Sequence, residues 1–379
     1  RKTLVALNDL AMALGASGEL PRAIPLMEDA VSRIKKELPP EDPNLAISLG
    51  NLGLMYQHPT INRARQALPL FRRALELNRQ YRGPHDPATL NAMNNLATCY
   101  LTMRDLDSAM PLLKETLELR RKHLAPGHPD TLLSINNLAI GYREKGDHRE
   151  ALHLAQEALQ QRRKKLGPDD PDTLISLNEV ATAHAALGED TLAANLFKEV
   201  VEGHARRLGN DHPATLTATL RLIRLQARLG QNEKAQQIID TFVPLCRTKM
   251  GKESSNFDQY LVQMALALLE GGMGKEAEPL LRESLALRQR FQPGEWSTFN
   301  AMSMLGGALL LQKKVMEAEP LLVKGYEGME ARQASIPSAA SARRVEALDR
   351  LIALYTALKK PAEVERYTKL RARHVGATP

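Results

Sequence analysis

A sequence echo with a period of 42 residues is the feature that most constrains this fold. The echo at Pro129 reads HPDTLLSINNLAIGY, and closely similar openings stand one period before and after it. Self-similarity at a fixed period of a few tens of residues is typical of repeat architectures, in which each unit packs only against its neighbours. The sequence therefore predicts one elongated array with restarts at Pro87, Pro129, Pro171 and Pro213.

Each repeat has the pattern of two helices. Pro129 suits the first position of a helix, and the apolar residues from Leu132 to Tyr142 recur at three- and four-residue spacing. Gly146 is typical of a helix end, and Asp147 can cap the helix that follows. We expect an all-α, superhelical α-solenoid of antiparallel helix pairs. The single array over 1–379 has units starting near 1, 43, 87, 129, 171, 213, 255 and 296, and a C-terminal capping pair at about 342–372.

Small residues recur where the two helices of a pair must approach closely. They occupy equivalent places at Ala23, Ala67, Ala109, Ala151, Ala193, Ala235, Ala277 and Ala318. With the Leu-Ala-x-x-Tyr segment and the turn glycine, this pattern resembles the tetratricopeptide repeat. The 42-residue length and the (D/H)P-x-TL-x-x-x-NNLA-x-x-Y opening resemble the longer variety found in kinesin light chains. The resemblance covers essentially the whole chain and implies the fold, but no particular ligand.

The C-terminal part carries a second resemblance. Residues 294–329 and 346–367 are similar to the tail of large planctomycete-type bacterial proteins, in which a serine/threonine kinase domain precedes a tetratricopeptide array. This implies a regulatory or sensing region whose partner is an upstream kinase domain of the same polypeptide. No HRD or DFG element occurs in the chain, so kinase activity is not expected of these residues.

Composition and motifs argue against several other classes. There is no apolar run long enough for a membrane span, and no signal peptide. The two cysteines are expected to be buried, reduced thiols, which favours a cytoplasmic protein. There is no Gly-rich phosphate loop, HExxH, paired-cysteine motif or nucleophile elbow. We therefore expect no catalysis, no metal and no cofactor.

The net charge of +7 is concentrated in basic runs near the ends of second helices. Cations there complement the helix dipole, which is the simpler interpretation. A nucleic-acid patch is the alternative, but the runs lack interleaved aromatic residues for base stacking. The runs are Arg120-Arg121-Lys122, Arg162-Arg163-Lys164-Lys165 and Arg206-Arg207.

The resemblance implies that the first helix of each pair lines a concave groove, whose exposed positions here carry a ladder of amides. Asparagine is a mediocre helix former, so its repeated use inside helices needs a reason. The side chains could bind the main chain of an extended peptide, or one of each pair could brace the adjacent repeat through a backbone carbonyl. The ladder is Asn8, Asn51, Asn91, Asn94, Asn95, Asn136, Asn137 and Asn178.

Cations and apolar residues complete the predicted groove. Arg143 adds one cation, and Arg221, Arg224 and Arg228 share a helix face that suits a carboxylate or phosphate of a ligand. Apolar contacts are expected from Leu133, Ile140 and Ile175.

Three functions remain open on sequence alone. The first is a non-catalytic scaffold that binds a protein or peptide in the groove, and the second is regulation of the upstream kinase domain. The third is nucleic-acid binding, which would show itself by a steep loss of affinity with salt.

Overall fold

The computed structural model describes residues 2–39, 41–58, 61, 63–337 and 340–375, and these residues form helices in nine consecutive pairs with no strand among them. The predicted all-α fold of helix pairs is confirmed. The helices are α1 Lys2–Ala16, α2 Leu20–Glu37, α3 Pro43–Gln57, α4 Ala64–Arg82, α5 Pro87–Thr102, α6 Leu106–His123, α7 Pro129–Lys145, α8 His148–Leu166, α9 Pro171–Ala186, α10 Asp190–Leu208, α11 Pro213–Arg228, α12 Asn232–Met250, α13 Ser255–Glu270, α14 Gly274–Phe291, α15 Trp296–Leu311, α16 Val315–Glu330, α17 Ala342–Ala357 and α18 Pro361–Val375.

A side-chain cap stands before most of the first helices. Asp86 accepts a hydrogen bond from the backbone N–H of Ala88, and the same arrangement precedes α3 and α9. His128 and His212 cap α7 and α11 through Nδ1, each at 3.2 Å from a backbone nitrogen. A ring nitrogen that accepts a hydrogen bond carries no proton, so both caps require this nitrogen to be deprotonated.

The turn between the two helices of a pair needs a left-handed residue. Gly146 fills this place with φ 93°, as glycine does in four other pairs. Arg104, Lys313 and Lys359 take the same position with φ of 60°, 62° and 54°. Left-handed backbone is strained for residues with a Cβ, which explains why glycine is the most frequent residue here. The repeat keeps the left-handed conformation even where the glycine is replaced.

The core lies between the first and second helices of each pair and of neighbouring pairs. All eight alanines predicted to allow close approach are buried, with relative exposures of 3% or less. The leucines at the first-helix core position are buried at Leu52, Leu96 and Leu138. Leu10 stands at the equivalent position of α1 but is 52% exposed, and the next residue, Ala11, is buried in the core instead.

The chain divides into two compact units, Arg1–Leu187 and Gly188–Pro379, with the boundary in the turn after α9. In the first unit, the successive first helices α1, α3, α5, α7 and α9 touch one another. In the second unit, α11, α13, α15 and α17 do the same. Each unit therefore has a layer of first helices in mutual contact. A single array over 1–379 remains a prediction.

Candidate functional site

The first helices of residues 2–187 share a partly exposed stripe, here called the first-helix face. In α3, α5, α7 and α9 it consists of residues four and seven positions apart, which lie on the same side of a helix. Four of its apolar side chains are strongly exposed: Ile47 (47%), Leu54 (44%), Leu133 (43%) and Ile175 (47%). In α5 the stripe is polar and consists of Asn91, Asn95 and Thr98. Its remaining members are Asn51, Asn137, Ile140, Glu179 and Thr182.

Two amide–amide hydrogen bonds tie neighbouring first helices together. The Nδ2 of Asn51 donates to the Oδ1 of Asn8 at 3.2 Å, and the Nδ2 of Asn137 donates to the Oδ1 of Asn94 at 2.9 Å. Both bonds join residues 43 positions apart, so the second asparagine of one repeat meets the first asparagine of the preceding repeat. The bracing predicted as one alternative is therefore present, but its acceptor is a side-chain amide and not a backbone carbonyl.

Asn94 and Asn136 correct the expectation that the ladder lies at exposed positions. Their relative exposures are 4% and 5%. They stand one residue before the exposed stripe, which turns their side chains toward the neighbouring first helix. The two asparagines of a pair therefore differ in solvent exposure: the first is buried, and the second, Asn95 or Asn137, is half-buried.

Two further positions of the ladder lack such a bond. Asn95 would donate to the preceding repeat, but Gly50 stands there, and the Asn95 side chain has no partner among the residues the structure describes. Asn136 would accept from the next repeat, but Glu179 stands there, and the buried Oδ1 of Asn136 has no hydrogen-bond partner. The ladder therefore alternates between closed and open rungs, because glycine and glutamate interrupt the paired asparagines.

Glu179 instead accepts hydrogen bonds from two other side chains. Its Oε2 accepts from Nη1 of Arg143 at 2.6 Å, and its Oε1 accepts from Nδ2 of Asn178 at 3.2 Å. Arg143 also contacts Glu144 at 3.4 Å. The cation predicted for the groove at Arg143 is thus neutralised inside the first unit.

Asn91 accepts a hydrogen bond from Arg120, the first residue of one of the basic runs. Arg120 is 1% exposed, and its guanidinium donates to the carbonyl of Asp130 at 2.8 Å, to Oγ of Ser134 at 2.6 Å and to Oδ1 of Asn91. Burial lowers the pKa of Arg120. Arg120 therefore clamps its own first helix to that of the next repeat.

Arg162 repeats this clamp one period later. It is 5% exposed and donates to Oγ of Ser176 at 2.7 Å. Burial lowers the pKa of Arg162 as well. The basic runs were expected to serve the helix dipole, and the structure corrects this for Arg120 and Arg162, whereas Arg206 is exposed and Arg121 remains at the surface with Glu157. The signal available in the sequence was a serine 14 residues after each arginine.

The predicted arginine patch lies on α11 in the second unit, and its members have protein partners. Nε of Arg224 is 3.0 Å from Glu270, and Nε of Arg228 is 3.1 Å from Asp190. The guanidinium of Arg221 lies 5.7 Å from the centre of the Phe197 ring. These carboxylates come from other helices, so α11 considered alone did not reveal them. The anion-binding role of the patch stays a prediction.

The described part of the chain holds no cluster of three or more histidine, cysteine, aspartate or glutamate side chains that could bind a metal ion. Cys99 and Cys246 are buried and free, and burial raises the pKa of each thiol to about 11. Within the described residues, every helix is too short or too polar to cross a bilayer.

Models of the tetratricopeptide repeat family match residues 3–44, 62–122 and 130–205. These parts of the chain are tetratricopeptide repeats. The predicted family is thereby confirmed, and the chain is a helical-repeat scaffold of the class that presents extended surfaces to other proteins. The resemblance of the C-terminal part to kinase-associated arrays stays a prediction.

Solved structures show similar helix pairs. The apo quorum sensor NprR of B. thuringiensis aligns with TM-score 0.59 and 14% identity over 99% of each chain, and apo RapI with 0.56 and 14% over 77% of this chain and 99% of its own. Repeats described as those of a kinesin light chain of Podosopora anserina are 26% identical over 54% of this chain and 96% of theirs, with TM-score 0.48. A search of curated protein sequences gave no match.

Proposed function

We propose that this tetratricopeptide scaffold binds an extended protein or peptide segment on the first-helix face of residues 2–187. The observation that carries the proposal is the pair of open rungs at Asn95 and Asn136, on a face that also exposes large apolar side chains. An amide with free donors and acceptor can bind both the N–H and the C=O of a peptide main chain. Apolar side chains exposed beside it supply hydrophobic contact area.

The arrangement suggests how a segment would lie. Its main chain would cross α5 at Asn95, where Gly50 on the neighbouring helix leaves open space beside the amide. Its side chains would contact Ile47 on one side and Leu133 on the other, both more than two-fifths exposed. Arg143 and Glu179 already neutralise each other, so the ligand segment would be apolar or neutral at this point.

The predicted arginine patch lies in the second unit and is a separate candidate contact, independent of the first-helix face. A ligand carboxylate could replace Glu270 as the partner of Arg224, since both side chains of this pair are about two-fifths exposed. Exchange of one exposed ion pair for another changes the free energy little. We therefore expect binding to depend weakly on salt, which also separates this function from nucleic-acid binding.

The test compares two asparagines with opposite structural roles. Peptides would be selected from a displayed random library on the wild-type protein, synthesised, and titrated against Asn95→Ala, Asn137→Ala and the exposed loop control Asn210→Ala. Asn95→Ala should weaken binding about tenfold or more without lowering stability, because it removes no intramolecular hydrogen bond and alanine favours helix. Asn137→Ala should lower stability, because it opens the rung to Asn94. Equal affinity of the wild type and Asn95→Ala would refute the proposal.

A further inference from the structure

A pocket of about 480 Å³ lies within the second unit, between the first helices α13 and α15 and beside the end of α14. This volume is in the range of pockets that hold small ligands. Phe291 at the end of α14 is 50% exposed, while Met304 in α15 is 1% exposed, so the apolar lining runs from surface to core. That lining comprises Val262, Leu266, Leu287, Phe291, Trp296 and Met304.

The charged residues in the wall are neutralised within the protein. Arg288 contacts the carboxylate of Asp258 at 2.7 Å, and its Nη1 donates to the carbonyl of Ser297 at 2.6 Å. Both charged side chains are nearly buried, at 11% and 13% exposure. A charged ligand would find no free counter-ion here, so the pocket favours an uncharged group. The remaining charged wall residues are paired too, Glu253 with Arg290 and Arg343 with Glu346.

One polar atom in the wall has no partner. Asn300 lines the pocket and is 5% exposed, and its buried Oδ1 accepts no hydrogen bond. Its Nδ2 lies 3.7 Å from the sulfur of Met304. In the first unit, the equivalent position of the repeat holds Ile47, Asn91, Leu133 and Ile175, which are all exposed, whereas Asn300 is buried. Buried acceptors are nearly always hydrogen-bonded, so Asn300 Oδ1 marks the place of an N–H or O–H donor from outside the chain.

We propose that this pocket binds an uncharged aromatic side chain of a peptide ligand, with the adjacent main-chain N–H donating to Asn300 Oδ1. Aromatic rings are favoured by the aromatic side chains of Phe291 and Trp296 and by the thioether of Met304, which all line the pocket. The site shares no residue with the first-helix face of residues 2–187. It can therefore exist or fail independently of the function proposed above.

Tryptophan fluorescence can report on this pocket without a label, because Trp296 lines it and is the only tryptophan in the sequence. The probe is N-acetyl-phenylalaninamide, which is uncharged, carries amide N–H donors and does not absorb where tryptophan is selectively excited. We expect saturable changes in Trp296 emission with a Kd of about 1 mM. N-acetyl-glycinamide, which lacks the ring, and N-acetyl-phenylalanine, which carries a charge, should bind at least tenfold more weakly. No saturable change, or equal changes with all three compounds, would overturn the proposal.

The role of Asn300 is tested by Asn300→Leu, with Asn210→Leu in an exposed loop as the matched control. Removal of an unsatisfied acceptor should leave the thermal midpoint unchanged or raised, while affinity for the probe falls about tenfold. If leucine overpacks the site and unfolds the unit, Asn300→Ala provides the same comparison without added volume. Undiminished affinity in a folded Asn300 variant would show that the acceptor serves no ligand. Loss of peptide binding in Asn95→Ala with an intact Trp296 response separates the two sites.

Discussion

The buried guanidinium of Arg120 gives the sharpest stability prediction. Arg120→Ala removes the donor from the Asp130 carbonyl and from Ser134 Oγ, while Asn91, which is exposed, can turn to water. Each of these two hydrogen bonds to a charged donor contributes about 1.5–3 kcal/mol, and the relief of a buried charge offsets part of this. We expect the free energy of unfolding of the first unit to fall by about 3 kcal/mol, with the loss concentrated at the junction of α6 and α7.

The matched control is the next residue along the chain. Arg121 is 47% exposed and pairs with Glu157 at 2.6 Å, so Arg121→Ala should cost less than about 1 kcal/mol. Urea unfolding followed by circular dichroism would give the total loss for each variant. Hydrogen exchange of peptides from α6 and α7 would locate it, because nearest-neighbour contacts let a repeat array open locally. Equal losses for the two alanine variants would refute the clamp.

Two further predictions concern packing and pH. A Cβ on Gly53 would lie 2.6 Å from the buried ring of Phe71, whereas one on Gly50 would meet open space. Gly53→Ala should therefore lower the free energy of unfolding by about 1–2 kcal/mol, and Gly50→Ala should raise it by up to about 1 kcal/mol, with the thermal midpoint moving in the same direction in each case. The same sign for both would contradict the packing at α3. Burial, aided by His212, lowers the pKa of His204 below its ordinary 6.5. A histidine with a lowered folded pKa contributes stability above the unfolded value that is lost as the pH falls through the folded value. The midpoint of the wild type should thus fall more between pH 7.5 and 5.5 than that of His204→Leu, and parallel pH profiles would exclude this source.

The helix pairs could be predicted from local signals alone. Proline at the first helical position, an acidic or histidine cap before it and a left-handed turn residue fix where each helix begins and ends. Pro129 and Pro171 begin helices in the structure, as their sequence context predicts. The features lie within a few residues of one another, so no knowledge of distant contacts was needed.

The candidate site was harder to predict from the sequence, because it depends on residues a full repeat apart. Whether Asn95 is free is decided by Gly50, and whether Asn136 is satisfied is decided by Glu179. A charged residue in the last turn of a helix is ordinarily taken to be solvated, yet Arg120 points inward because a serine and a carbonyl of the next repeat receive it. Such pairings become visible only when successive repeats are compared one position out of register.

The one-residue offset between the two asparagines of a closed rung determines how the array can be lengthened. A closed rung spans 43 positions in a repeat of 42, so each donor sits one place beyond the equivalent of its acceptor. If residues 129–170 were duplicated in tandem, the second copy of Asn137 would reach the first copy of Asn136, the acceptor that now has no donor. The new junction would therefore have a complete amide–amide hydrogen bond, and the unpaired asparagine opposite Glu179 would lie one repeat further along the chain. Gene duplication or protein engineering could thus lengthen the scaffold by whole repeats without redesigning the asparagine hydrogen bonds.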